Sequence, residues 1–134
     1  EATAVSIGRG TDFPFQVMGH DQVPLGNFSF TPRSMPQSAP QPKLQDQLLY
    51  GLDLRESSIH GFDLSLLLAA HQAFKEAGVT FFTAADFMDK LSGTDQLRKA
   101  IEAGQSEAEI RASWQADLAA FKQQRAPYLL YPEA

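Results

Sequence analysis

Hydroxyls, one carboxylate and one arginine crowd the first eleven residues, Glu1-Ala2-Thr3-Ala4-Val5-Ser6-Ile7-Gly8-Arg9-Gly10-Thr11. Arginine supplies a rigid fork of donors that matches a carboxylate or a phosphate in two hydrogen bonds. Glycine on either side lets the backbone adopt positive φ and approach a ligand closely. Thr3, Ser6 and Thr11 add hydroxyl donors and acceptors. The same pattern also makes an ordinary tight turn with a solvated arginine, because glycine-rich turns are common. Histidine offers less. His20, His60 and His71 are widely spaced, with no His-x-x-x-His pair and no acidic cluster beside them, so no metal site is expected. No cofactor is expected either. His20 follows an apolar stretch at Phe15 and is placed to line a cleft, whereas His71 falls on a helix face at a core margin. Asp12, beside Thr11, caps a turn.

Alternating patterns supply the first elements that would position these groups. Phe13, Phe15 and Val17 alternate with Pro14, Gln16 and Met18, Phe28 and Phe30 flank Ser29, and Leu48, Tyr50, Leu52 and Leu54 alternate up to Arg55. Period two marks half-buried strands. Between the second and third strands, residues 31–42 hold four prolines and read as a surface loop.

The second half changes to helical spacing. Asp63 is placed to cap a helix with Leu64, Leu67, Leu68, His71 and Phe74 on one face, ended by Gly78. Residues 79–82 form a strand or a connector. Thr83 with Asp86 predicts the cap of a short helix ended by Gly93. Thr94 starts another, ended by Gly104. Ser106 and Glu109 form a capping box for a last helix from Ser106 to Gln124, with Ile110, Trp114, Leu118 and Phe121 inward. Trp114 reads as core rather than as a sugar platform. Pro127 ends that helix, and Tyr128 to Tyr131 read as an extended tail docked on the domain. The expected fold class is α+β, a single domain over 1–134, with a small, mainly antiparallel sheet from the N-terminal half and several helices from the C-terminal half packed on it.

Composition excludes several function classes. Net charge is −5, and Arg98-Lys99 and 122–125 are too short to form a basic stripe, so nucleic acid is not an expected partner. There are no cysteines, which removes disulfides and thiolate zinc sites. The longest apolar run, near Leu64 to Ala70, is far short of a membrane span.

Glu1-x-Thr3-x-Val5-Ser6-x-Gly8-Arg9-Gly10-Thr11, with Pro14-Phe15 and Gly19, resembles the signature stretch of the NamZ-type exo-β-N-acetylmuramidases. The resemblance continues in Phe28-x-Phe30-x-Pro32, Tyr50-Gly51-Leu52-Asp53, residues 87–98, Ile110-x-x-x-Trp114 and Tyr128-Leu129-Leu130-Tyr131, and so covers nearly the whole chain. Residues 34–47 depart from the family pattern. The family consists of bacterial glycoside hydrolases of peptidoglycan recycling, formerly catalogued as a domain of unknown function. They release terminal N-acetylmuramic acid from the non-reducing end of glycan fragments. In it a Rossmann-like domain precedes this region, so the resemblance implies a C-terminal domain whose partner, the N-terminal domain of the same protein, is missing here. Alone, this domain is expected to be inactive.

The expected ligand is a muropeptide or peptidoglycan glycan fragment, bound in a cleft between the two domains, at an extracytoplasmic place of work, periplasmic or secreted. Glycosidases generally need two carboxyl groups. Glu1, the carboxylate inside the signature, is a catalytic candidate, and the preceding domain is the other expected source of the general acid. Muramic acid carries a lactyl carboxylate, for which Arg9 is the natural partner. Thr3, Ser6, Thr11 and His20 are the further substrate-binding candidates. Two other readings remain open: a non-catalytic glycan-binding domain, and a structural domain that braces a catalytic partner.

Overall fold

The structure is a computed structural model and describes residues 1–131. The fold is α+β, as the change of period predicts. Three short strands, β1 (Val17–His20), β2 (Phe28–Phe30) and β3 (Leu49–Asp53), form an antiparallel sheet in the order β1-β3-β2. Gly19 pairs with Gly51 on one side of β3, and Phe28 pairs with Gly51 on the other. Five α-helices follow: α1 (Ser65–Glu76), α2 (Ala85–Ser92), α3 (Gln96–Glu102), α4 (Glu107–Ser113) and α5 (Gln115–Arg125), with a 3-10 turn at Ala126–Tyr128. Among the described residues no helix is long and apolar enough to cross a membrane.

Three apolar clusters hold these elements. Val17, Phe30 and Leu49 form the core of the sheet. Val5, Val23, Ala70, Phe74 and Phe81 join the N-terminal segment to α1. Leu64, Ile101 and Ile110 join the later helices. Helix α1 is the link between halves, since Phe74 is fully buried and its ring meets the His20 imidazole edge-on at 4.7 Å. His71 sits at that margin, edge-on to Phe81 at 5.5 Å, and burial lowers its pKa.

Local signals largely act where they stand. Ser106 accepts from the Glu109 N–H while the Glu109 carboxylate accepts from the Ser106 N–H, so the capping box is complete. Gly78, Gly93 and Gly104 all carry positive φ at helix ends. Asp63 is the exception: Leu64 takes the N-cap position of α1 and Asp63 stands one residue outside it, its Oδ1 accepting from the Ser65 N–H at 2.8 Å.

Several expectations are corrected. The first strand begins at Val17, because Phe13 and Phe15 lie in turns and Phe15 has φ 66°. In β3 the buried positions are Leu49 and Gly51, whereas Leu48 and Tyr50 face solvent, so the strand lies one residue out of the expected phase. Gly51 explains that phase: a Cβ there would stand 1.7 Å from the Met18 carbonyl oxygen. Thr83 does not cap α2. Its backbone N–H instead donates to the Ala2 carbonyl at 3.0 Å, and Ala84 takes the N-cap position. The helix expected over 106–124 breaks at Trp114, which ends α4 and begins α5. Trp114 is half-buried, with the Phe62 ring edge-on at 5.9 Å. The tail does not dock: Tyr128, Leu130 and Tyr131 are each more than four-fifths exposed.

Candidate functional site

The Gly-Arg-Gly turn is built by its neighbours. Thr11 N–H donates to the Gly8 carbonyl at 3.1 Å, and Thr11 Oγ1 donates to the same oxygen at 2.6 Å. Gly8 and Gly10 have φ 80° and 83°, a region that other residues enter at a cost. Space excludes a side chain as well. A Cβ at Gly8 would stand 2.6 Å from Val17 Cγ2, and one at Gly10 would stand 2.5 Å from the Arg33 carbonyl oxygen. The turn is thus pressed against β1 and the proline-rich loop, and Arg9 is left exposed at its tip.

The proline-rich loop is ordered by the same contacts. Arg33 N–H donates to the Gly10 carbonyl at 2.8 Å, and Met35 and Ala39 pair as an isolated bridge. Ser34 Oγ donates to the Pro40 carbonyl at 2.8 Å. Pro32 and Pro42 are buried. Lys43 therefore arrives beside the N-terminal segment, where its Nζ donates to the Thr3 carbonyl.

Glu1, Arg9 and Lys43 line one depression together with residues 38–42 of the loop, about 380 Å³ in volume. Arg9 Nη2 donates to Glu1 Oε1 at 3.1 Å, with both side chains about half exposed. The Arg9 guanidinium also lies 5.0 Å from the Phe15 ring centre. Lys43 is half-buried, and its pKa is lowered by that burial, with Glu1 acting in the opposite sense. Two cations thus stand beside one carboxylate, an arrangement that suits an acidic ligand group.

The other candidates divide. Thr3 brings its carbonyl to Lys43 and pairs with Phe82 as an isolated bridge. Ser6 is buried and lines a smaller adjoining pocket with Glu1, Arg9 and Lys43, and its backbone exchanges two hydrogen bonds with Gly19 at 3.0 and 2.9 Å. Thr11 lines a neighbouring depression with Gly10, Asp12, Phe13 and Arg33. His20 is 6 % exposed, and its Nδ1 accepts from the N–H groups of Gln22 and Val23, both at 3.2 Å. Those bonds require a bare Nδ1, so the contact with Asp21 Oδ1 at 3.3 Å is not an ion pair. Burial lowers the His20 pKa against the pull of Asp21, which agrees with a neutral ring. Lys43 acts on the His20 pKa in the same sense as burial, and His20 does not line the depression. Lys43 was missed by sequence reasoning. Its partner is a backbone carbonyl 40 residues earlier, which leaves no local signal.

A separate groove of about 480 Å³ lies between the helices, lined by Phe62, Leu91, Leu97, Ala100, Ile110 and Trp114 among others. Its lining includes the carboxylate of Asp117 and no cation, so it does not suit an acidic ligand. Among the described residues no group of three histidine, aspartate or glutamate side chains is placed to hold a metal ion.

Comparisons with known proteins place the chain as a whole. The family model described as "Exo-beta-N-acetylmuramidase NamZ, C-terminal" matches residues 1–131. A similar solved structure is the crystal structure of a DUF1343 family protein from Bacteroides fragilis NCTC 9343. It is 40% identical, with a TM-score of 0.82, and the match covers 99% of this chain and 38% of that one. No curated protein matches the sequence.

Proposed function

The chain belongs to the family of NamZ C-terminal domains, and from that premise we propose that it forms one wall of the active-site cleft of an exo-acting glycosidase. In this reading the enzyme releases terminal N-acetylmuramic acid from peptidoglycan fragments. A preceding domain completes the cleft, consistent with a relative in which this region is 38% of the chain. Arg9 binds the lactyl carboxylate of the sugar. One observation carries this role: the guanidinium is exposed at the tip of a turn whose two glycines are fixed by close contacts, beside a depression that holds two cations.

The test is made in the full-length enzyme. Arg9→Lys keeps the charge and loses the fork, and Arg9→Ala loses both. Each should reduce kcat/KM on a β-N-acetylmuramide by roughly ten- to a hundredfold, the worth of a charge-assisted pair of about 1.5–3 kcal/mol. Each should affect an N-acetylglucosaminide, which lacks the carboxylate, far less. Full activity of folded Arg9→Ala would overturn the assignment.

The Arg9–Glu1 contact favours a second role for the same residue. In it, Arg9 orients the Glu1 carboxylate, the catalytic candidate within this chain. Equal losses on both sugars would select that role over lactyl binding.

A further inference from the structure

The proline-rich loop is the element that completes the depression around Arg9. Buried Pro32 and Pro42, the Met35–Ala39 bridge and the Arg33 bond to Gly10 fix its path. That path delivers the Lys43 ammonium to a half-buried position where one of its three protons is taken by the Thr3 carbonyl. Lys43 and Arg9 both face the depression that Glu1 lines. One carboxylate beside two cations leaves a net positive charge in a partly desolvated place, where an incoming anion is held more strongly than in open water.

We propose that Lys43 is a specificity-determining residue: with Arg9 it forms a two-cation seat that receives the acid group of the substrate. The proposal rests on the reading that an acidic sugar enters this cleft. Arg9 contributes the directional fork and Lys43 contributes a point charge. The substrate carboxylate enters beside Glu1 or in its place. Because residues 34–47 carry the second cation, the loop sets how strongly the acidic sugar is preferred over its neutral analogue.

The alternative is that Lys43 only clamps the loop to the N-terminal segment through Thr3. A clamp supports the whole cleft and does not distinguish one sugar from another. The experiment is therefore a ratio: kcat/KM on a β-N-acetylmuramide over kcat/KM on the corresponding N-acetylglucosaminide, measured on one preparation of the full-length enzyme. Lys43→Gln should lower that ratio about tenfold, mainly through KM on the acidic substrate, and Lys43→Arg should keep most of it. Lys43→Met, which retains much of the stem, replaces Lys43→Gln should the latter not fold. Equal loss on both substrates, or an unchanged ratio, would overturn the proposal. If Arg9→Ala lowers the ratio while Lys43→Gln leaves it intact, Lys43 alone is excluded. If neither variant moves it, the acid-binding reading of the cleft falls and this proposal falls with it.

Discussion

Arg98 grips Asp89 with both arms of its fork, Nε to Oδ1 and Nη2 to Oδ2, each at 2.8 Å, across the break between α2 and α3. Nη1 of the same arginine reaches Glu102 at 3.1 Å. Asp89 and Arg98 lie in the stretch from Phe87 to Arg98 that resembles the family pattern, and the geometry gives them a structural task. They fix two short helices, of eight and seven residues, that are too short to persist alone.

That grip predicts an acid-sensitive stability. The Arg98 hydrogen bonds hold the Asp89 carboxyl below its ordinary value. In the unfolded chain the group titrates near about 3.9, so there it takes up a proton first. The contribution is complete above that pH and is lost as pH falls towards the folded value. Asp53, pulled down to about 2 by hydrogen bonds from Arg55, acts in the same sense. Urea midpoints measured between pH 7 and pH 3 should fall at the acid end. Asp89→Asn should lower the midpoint at pH 7 and flatten the acid slope. An unchanged slope in that variant would show that Asp89 does not contribute.

Gly10→Ala should destabilise the fold. The new methyl would meet the Arg33 carbonyl oxygen at 2.5 Å and Pro42 Cγ at 2.7 Å, at a φ of 83°. Positive φ at a residue with a Cβ costs on the order of 1–3 kcal/mol before any clash is counted. Chemical denaturation measures it, and a loss below about 0.5 kcal/mol would mean that the loop yields freely.

Trp114→Ala should cost about 2 kcal/mol. A fully buried ring would lose about 3–5 kcal/mol, and this one is half-buried against Phe62 and the Ile101–Ile110 cluster. Thermal melting of the variant checks the value. No shift at all would show that the ring rests on the surface of the groove.

The tail should be thermally silent. Leu130 is 90% exposed and Tyr131 82%. Leu130→Ser and Tyr131→Ser should each change stability by less than about 0.5 kcal/mol. A larger loss would mean that these side chains dock on this domain in solution.

What could be read from the sequence follows the range of the forces involved. The capping box at Ser106 and the three positive-φ glycines depend on residues within one turn, and each was legible. Strand phase was not, because Leu48 and Leu49 are both apolar. The choice between them is made by Gly51, into whose space the Met18 carbonyl projects. Thr83 carries a cap residue's chemistry, yet its backbone is taken by Ala2 from the far end of the chain. The candidate site divides in the same way. The Gly8-Arg9-Gly10 turn announced itself, while Lys43 depends on where twelve loop residues finally run.

The N-terminal segment is a strap laid across both halves. Ser6 pairs with Gly19 of β1, whereas the Ala2 carbonyl receives the N–H of Thr83, 81 residues along the chain. The first of these bonds closes a short loop. The second closes a long one, whose entropy must be lost before the contact contributes anything. The sheet and helices can therefore gather early, while the strap locks them together late. Glu1 rides on the end of that strap, so its place beside Arg9 is set by the long closure, while the Arg9 turn itself lies inside the short one.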